Sequence, residues 1–155
     1  VPIVFQDMFA IFTGLMLGAV YGSIAVIVFL CLGILGLPVF SGKAGLHVIL
    51  HGVTGGFLIG YLFAAFTAGI LAKFFLKVSS GKIKNSILLI IISLVAMIVI
   101  FVCGVFGFMR VTDCGLTKAV TAVVIPFIPG TVVKIILLFL LGKRFFPVIN
   151  NYISK

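Results

Sequence analysis

Residues 36–56 read GLPVFSGKAGLHVILHGVTGG, an interval both glycine-rich and bounded on each side by uninterrupted apolar sequence. Pro38, Gly42, Gly45, Gly52, Gly55 and Gly56 argue against a regular helix along its length, because proline removes a donor and glycine favours turns. Val39, Phe40, Leu46, Val48, Ile49 and Leu50 make it too apolar for a solvated loop. A segment that is irregular and greasy at once folds back over something. The reading is a lid over 37–53, held by the rest of the chain as its frame.

The composition says what kind of frame. Apolar residues make up 64% of the chain and charged residues 8%, with a mean hydropathy of +1.52; soluble domains do not have this balance. Several runs are long enough to cross about 30 Å of hydrocarbon, which takes roughly 20 apolar residues as a helix. They are continuously apolar and lack the period-two alternation of a membrane barrel. The expected fold is all-α: one polytopic transmembrane bundle occupying residues 1–155.

A net charge of +9 raises nucleic acid as a partner, but the cations sit between or at the ends of apolar runs, where they set topology. No nucleic-acid partner is expected. Cys31, Cys103 and Cys114 share no metal-ligand spacing, and no CxxC, HExxH or Walker-type pattern is present. Two acids in the whole chain leave paired-carboxylate catalysis without material. The sequence reads as neither an enzyme nor a metalloprotein, with no cofactor of its own.

Taken in order, Val1–Gln6 reads as the end of a loop entering a helix, with a further segment expected before it. A first helix is expected over 6–19, short for a full crossing, with Gly14, Gly18 and Gly22 spaced for close approach of a neighbour. A second helix follows a tight turn and covers 21–36. Thr54 is the expected N-cap of a third, reaching residue 77, along which Gly56, Gly60, Ala64, Ala68 and Ala72 form a small-residue stripe suited to packing inside the bundle. A basic linker at 78–84, a long helix over 83–109, an outer loop at 110–118 and a last helix over 118–142 complete the chain. Pro126, Pro129 and Gly130 interrupt that last helix. With five crossings, Lys73, Lys77, Lys82, Lys84, Lys143, Arg144 and Lys155 fall on one side, against Lys43, Arg110 and Lys118 on the other. This places the linker and the C-terminus in the cytoplasm and the lid outside.

Lys134 is the one ionisable residue deep in an apolar run. A lysine near the midplane costs several kcal/mol unless it finds a partner or a wet cavity, so it is a candidate ligand for substrate. The competing reading is a structural lysine satisfied by carbonyls freed at Pro129. Thr131 lies one turn before it, on the same face. In the lid, Lys43 is either simply solvated or attracts an anionic group of a ligand. His47 and His51, spaced i, i+4, lack the third ligand that a metal site needs.

Three segments, VPIVFQDMFAIFTG, GLPVFSGKAGLHVILHGVTGGFLIG and IPFIPGTVVK, together resemble the signature stretches of the BioY family, the biotin-specific substrate-binding (S) components of energy-coupling factor transporters. The resemblance implies a six-helix bundle, of which this chain carries five helices and lacks the first. It further implies outer loops that close over biotin, polar ligands from the helix bearing the proline-glycine motif, and residence in the bacterial plasma membrane. Import would need a transmembrane coupling subunit and two cytoplasmic ATPases, ATP being used by those partners alone, with the S-component toppling in the bilayer to deliver its ligand. The site implied is Thr131 and Lys134 at the head group, with Gln6 and the loop Gly42, Lys43, Ala44, Gly45 closing from outside. Phe40 would cover the apolar part of the ligand, while Thr54, Gly55 and Gly56 permit close approach at the start of the third helix. Two positions depart from the family pattern. Thr131 stands where an Asp is usual, which leaves Lys134 without its expected counter-ion, and Ala44 stands where a relative has Asn. An S-component for another vitamin, and a membrane assembly protein with no ligand, are the alternatives.

Overall fold

The computed structural model describes residues 5–76, 81–145 and 147. The entrance before residue 5, residues 78–80 of the basic linker and the polar tail lie outside the described residues. Within them the elements are α1 (Gln6–Ile34), α2 (Leu46–Leu50), α3 (Gly55–Leu71) continuing into a π-helical turn (Ala72–Leu76), α4 (Lys82–Thr112), α5 (Leu116–Val123), a 3₁₀ turn (Ile125–Phe127) and α6 (Ile128–Arg144). No strand occurs among the described residues. Four segments have the length and apolarity of a membrane span.

The first of these is not a straight rod. A continuous helix from residue 6 to residue 34 would hold its ends about 42 Å apart. Yet the Gln6 side chain donates a hydrogen bond to the Val39 carbonyl, and five residues reach at most about 18 Å. The chain therefore doubles back. The reversal is at Gly18, whose φ of 77° and ψ of −179° lie in territory open essentially to glycine alone. The expected pair of helices joined by a tight turn is thus present as two arms, 6–17 and 19–34. At about 18 and 24 Å each falls short of the roughly 30 Å hydrocarbon core. The glycine series has three separate uses. Gly18 makes the turn, a Cβ on Gly22 would come 2.7 Å from the Gly14 Cα across the hairpin, and a Cβ on Gly14 would strike the Ala65 carbonyl of α3.

α3 is the central post. Ala64, Ala65 and Ala68 are completely buried and Ala72 nearly so, and its glycines let neighbours approach backbone to backbone. Gly56 meets Gly107 and Cys103 of α4, Gly60 meets Ile100 and Cys103, and Gly69 seats the hairpin turn at Gly18 and Ala19. The small-residue stripe is therefore consumed within the bundle and leaves no face for an outside helix. The core above it is Ile11, Leu15, Leu89, Ile92, Met97, Ile100 and Leu138.

Two expectations are corrected. Thr54 occupies the N-cap position of α3 but makes no capping hydrogen bond with its side chain. The lid is not wholly irregular, because the glycine-free run Leu46–Leu50 forms the short helix α2. The expected interruption of the last helix is present, between the end of α5 at Val123 and the start of α6 at Ile128, around Pro126 and Pro129. Each stands in the first turn of its own element, the 3₁₀ turn and α6, where the missing N–H has no partner to lose.

Candidate functional site

The segment expected to form a lid begins where the second arm of α1 ends. Phe40 and Lys43 exchange backbone hydrogen bonds of 3.0 Å in both directions, closing a two-residue turn in which Ser41 (φ 52°) and Gly42 (φ 83°) both have positive φ. This is the primed geometry of a tight hairpin. The Gly45 amide, at φ 97°, then donates to the Gly33 carbonyl at 2.8 Å and staples the lid to the arm. The turn drives Phe40 inward. Its ring is 3% exposed, lies over Gly33 where any side chain would collide with it, and meets Phe29 edge-on at 5.8 Å. Gln6 pins the same turn from the other side, since its amide nitrogen donates to Val39 O and its Oε1 accepts from Ser41 Oγ at 3.4 Å.

Beneath Phe40 lies an inner cavity of about 100 Å³. Its polar groups are Gln6, Asp7, Ser41, Thr54, Tyr61 and Lys134, and aromatic rings of Phe57, Phe101 and Phe127 wall it. Lys134 is 3% exposed, and its Nζ donates to Asp7 Oδ2 at 2.7 Å. The expectation that Lys134 stands without a counter-ion is therefore wrong. The partner comes from the first turn of α1, 127 residues away. Asp7 gains there twice, as the acid at a helix N-terminus and as the neutraliser of a buried cation. Its Oδ1 also accepts from the Met8 amide at 2.8 Å.

Of the residues expected at the site, Gln6, Phe40, Thr54 and Lys134 line this cavity. Thr131 does not. Its hydroxyl donates to the Phe127 carbonyl at 2.8 Å within its own chain segment, and it is absent from the cavity wall. Gly55 and Gly56 are packing residues; a Cβ on Gly55 would strike the Ile49 carbonyl, and one on Gly56 would strike α4. Gly42, Ala44 and Gly45 shape the lid without facing the cavity, and Lys43 lines a separate hollow on the outside. Asp7, Ser41, Phe57, Tyr61, Phe101 and Phe127 were not singled out from the sequence. For Asp7 a signal existed: a buried lysine needs an anion, the chain has only Asp7 and Asp113, and Asp113 sits in a loop.

Chemically, the site offers a neutral pair with separated faces. Lys134 presents spare N–H donors and Asp7 a carboxylate with spare lone pairs, in a pocket otherwise apolar. A small uncharged head group carrying both an acceptor and an N–H donor fits this arrangement. No group of His, Cys, Asp or Glu able to hold a metal occurs among the described residues.

Comparison with known proteins gives the same direction. The biotin transporter BioY of Rhizobium etli is 33% identical over 144 residues, covering 92% of this chain and 76% of the relative. That of Rhodobacter capsulatus is 34% identical over 151 residues, covering 92% and 77%. The crystal structure of the S-component for biotin from an ECF-type ABC transporter superposes with a TM-score of 0.80 at 31% identity, covering 95% of this chain and 76% of that one. The BioY family profile matches residues 1–151, and the chain belongs to the BioY family.

Proposed function

We propose that this protein takes up biotin as the substrate-binding S-component of an ECF-type transporter. The observation that carries the reading is the Asp7–Lys134 pair walled into a cavity beneath a pinned aromatic lid, in a chain whose relatives are named biotin transporters. The ureido group of biotin has the complementary chemistry: its carbonyl accepts from Lys134 Nζ while a ring N–H donates to Asp7. Gln6 and Phe40 hold the lid down over it. The coupling subunit and two ATPases are the partners proposed, with ATP spent by them alone. The cation distribution supports a cytoplasmic C-terminus, in a bacterial plasma membrane.

Equilibrium binding of biotin to the purified protein in detergent tests this reading. The parent is expected to bind, and Lys134→Ala to lose at least about tenfold, or 1.4 kcal/mol. Binding unaffected by the substitution would move the site elsewhere. Absence of binding in a folded parent would remove biotin as the ligand and direct attention to other vitamins with a neutral polar head.

The lid makes a kinetic prediction. Truncating a buried phenylalanine costs about 3–5 kcal/mol in a packed core. Here that cost falls on the closed lid, so Phe40→Ala should release bound ligand much faster while leaving the bundle folded. Washout of labelled biotin measures it, and an unchanged release rate would show that Phe40 does not retain the ligand.

A further inference from the structure

The end of the bundle opposite the lid carries positive charge with no acid to answer it. α3 and α4 run antiparallel, with Gly60 against Ile100 and Cys103. Lys73 lies 13 residues further along α3, about 20 Å away, which brings it level with residues 87–90 of α4. At that level Gly142 of α6 meets Leu89, so Lys143 and Arg144 arrive at the same depth, and Lys84 stands about 8 Å beyond it. The edge-on contact of Phe145 with Phe12 at 5.9 Å ties down the end of α6. Four exposed cations thus share one rim, on α4 and two helices packed against it. The sequence holds two acids. Asp7 is paired with Lys134, and Asp113 is the C-cap residue of α4, at its other end.

From this arrangement we infer that the rim binds the headgroup phosphate of an anionic phospholipid, whose acyl chains lie along the apolar side of the bundle. Depth is the first argument. Each cation stands within two residues of the end of an apolar span: Lys73 in Gly55–Phe75, Lys84 in Ile83–Thr112, Lys143 and Arg144 in Leu116–Arg144. Such positions fall where hydrocarbon gives way to lipid phosphate. The second argument is the company the cations keep. Phe74 and Phe75 follow Lys73, Ile83 precedes Lys84 and Phe145 follows Arg144, and all four apolar side chains are exposed, Ile83 to 80%.

A site with charge and greasy surface side by side suits a ligand in which a phosphate is joined to acyl chains. A soluble acidic partner or a free anion would satisfy the cations and leave the rings in water. Lysine and arginine stems lie along apolar surface while their heads reach outward, and the Arg144 fork can hold two phosphate oxygens at once. Anionic headgroups attract cations placed so, and salt weakens the attraction. Were these cations there only to set topology, each would be solvated singly, and neutral and anionic lipids would serve equally. The inference is independent of the ligand bound beneath the lid.

The test titrates phosphatidylglycerol or phosphatidylcholine into the purified protein in neutral detergent, with bound lipid counted by native mass spectrometry. Two double variants remove the same charge from opposite ends: Lys73→Gln with Lys143→Gln at the rim, and Arg110→Gln with Lys118→Gln, both exposed, as the control. The parent is expected to hold phosphatidylglycerol at least tenfold more tightly than phosphatidylcholine. The rim variant should lose most of that preference and the control should keep it. A thermal melt checks folding, and Arg144→Gln alone replaces the rim pair should the pair be unstable. Equal binding of the two lipids by the parent, a measurement that needs no variant, overturns the inference. So does a preference that survives at the rim variant, or an equal loss in both variants, which would assign the effect to net charge. Inorganic phosphate raising the melt of the parent as much as phosphatidylglycerol does would assign the rim to a free anion and overturn the lipid.

Discussion

Asp7→Ala is expected to destabilise the protein by about 3–5 kcal/mol, the cost of leaving a buried cation without its partner. Lys134 is 3% exposed and Asp7 is its one carboxylate partner among the described residues, 2.7 Å away. Removing the acid leaves the ammonium without an anion in a cavity walled by Phe57, Leu58 and Phe101, where it must draw in water. Replacing both partners by apolar residues of similar volume, Asp7→Leu with Lys134→Met, should recover most of that loss, because breaking one half of a buried pair is worse than removing both. The double variant should nevertheless fail to bind biotin. Thermal unfolding in detergent with binding on the same samples separates the two effects. If Asp7→Ala melts with the parent, the pair does not neutralise a desolvated charge, and its assignment to the head group falls.

The second large effect is at the hairpin. Gly18→Val is expected to cost at least about 1–3 kcal/mol in backbone strain alone, since φ 77° with ψ −179° suits glycine only. The consequence extends to function. The reversal brings the first arm back beside the second, and the first arm carries both Gln6, which pins the lid, and Asp7, which holds Lys134. A variant that opens the turn should lose ligand binding along with stability, although residue 18 lies at the opposite end of the arm from the cavity. Gly130→Ala is the control. That glycine has open space around it, and an alanine in a helix is favoured by up to about 1 kcal/mol. A melt of Gly18→Val equal to that of Gly130→Ala would mean that the chain reverses by some other conformation.

Much of this protein could be read before any coordinates. Continuous apolar runs in a chain with 8% charge leave helices in lipid as the only solution, because backbone polar groups there must pair within their own segment. Proline and glycine in 36–56 marked a segment that is not one regular helix, and a lone lysine in an apolar helix marked a position that needs a partner, because each feature carries a local cost that needs a reason. A tight turn between the first two helices was expected near residue 20, whereas Gly14, Gly18 and Gly22 were read only as a series for close approach; the reversal itself is at Gly18.

What the sequence alone could not supply was partnership across the chain. Asp7 pairs with Lys134 across a sequence separation of 127, and no local periodicity or spacing encodes that distance. Thr131 looked like a ligand by position, yet Phe127, the N-cap residue of α6, offered it a backbone carbonyl at 2.8 Å, a bond that a short hydroxyl side chain makes readily. Gly55 and Gly56 looked like room for a ligand and proved to be room for neighbouring backbone. Local chemistry determined the elements and the residues that needed explanation. Tertiary packing decided which of them face one another, because a buried charge takes whichever opposite charge the fold brings within reach.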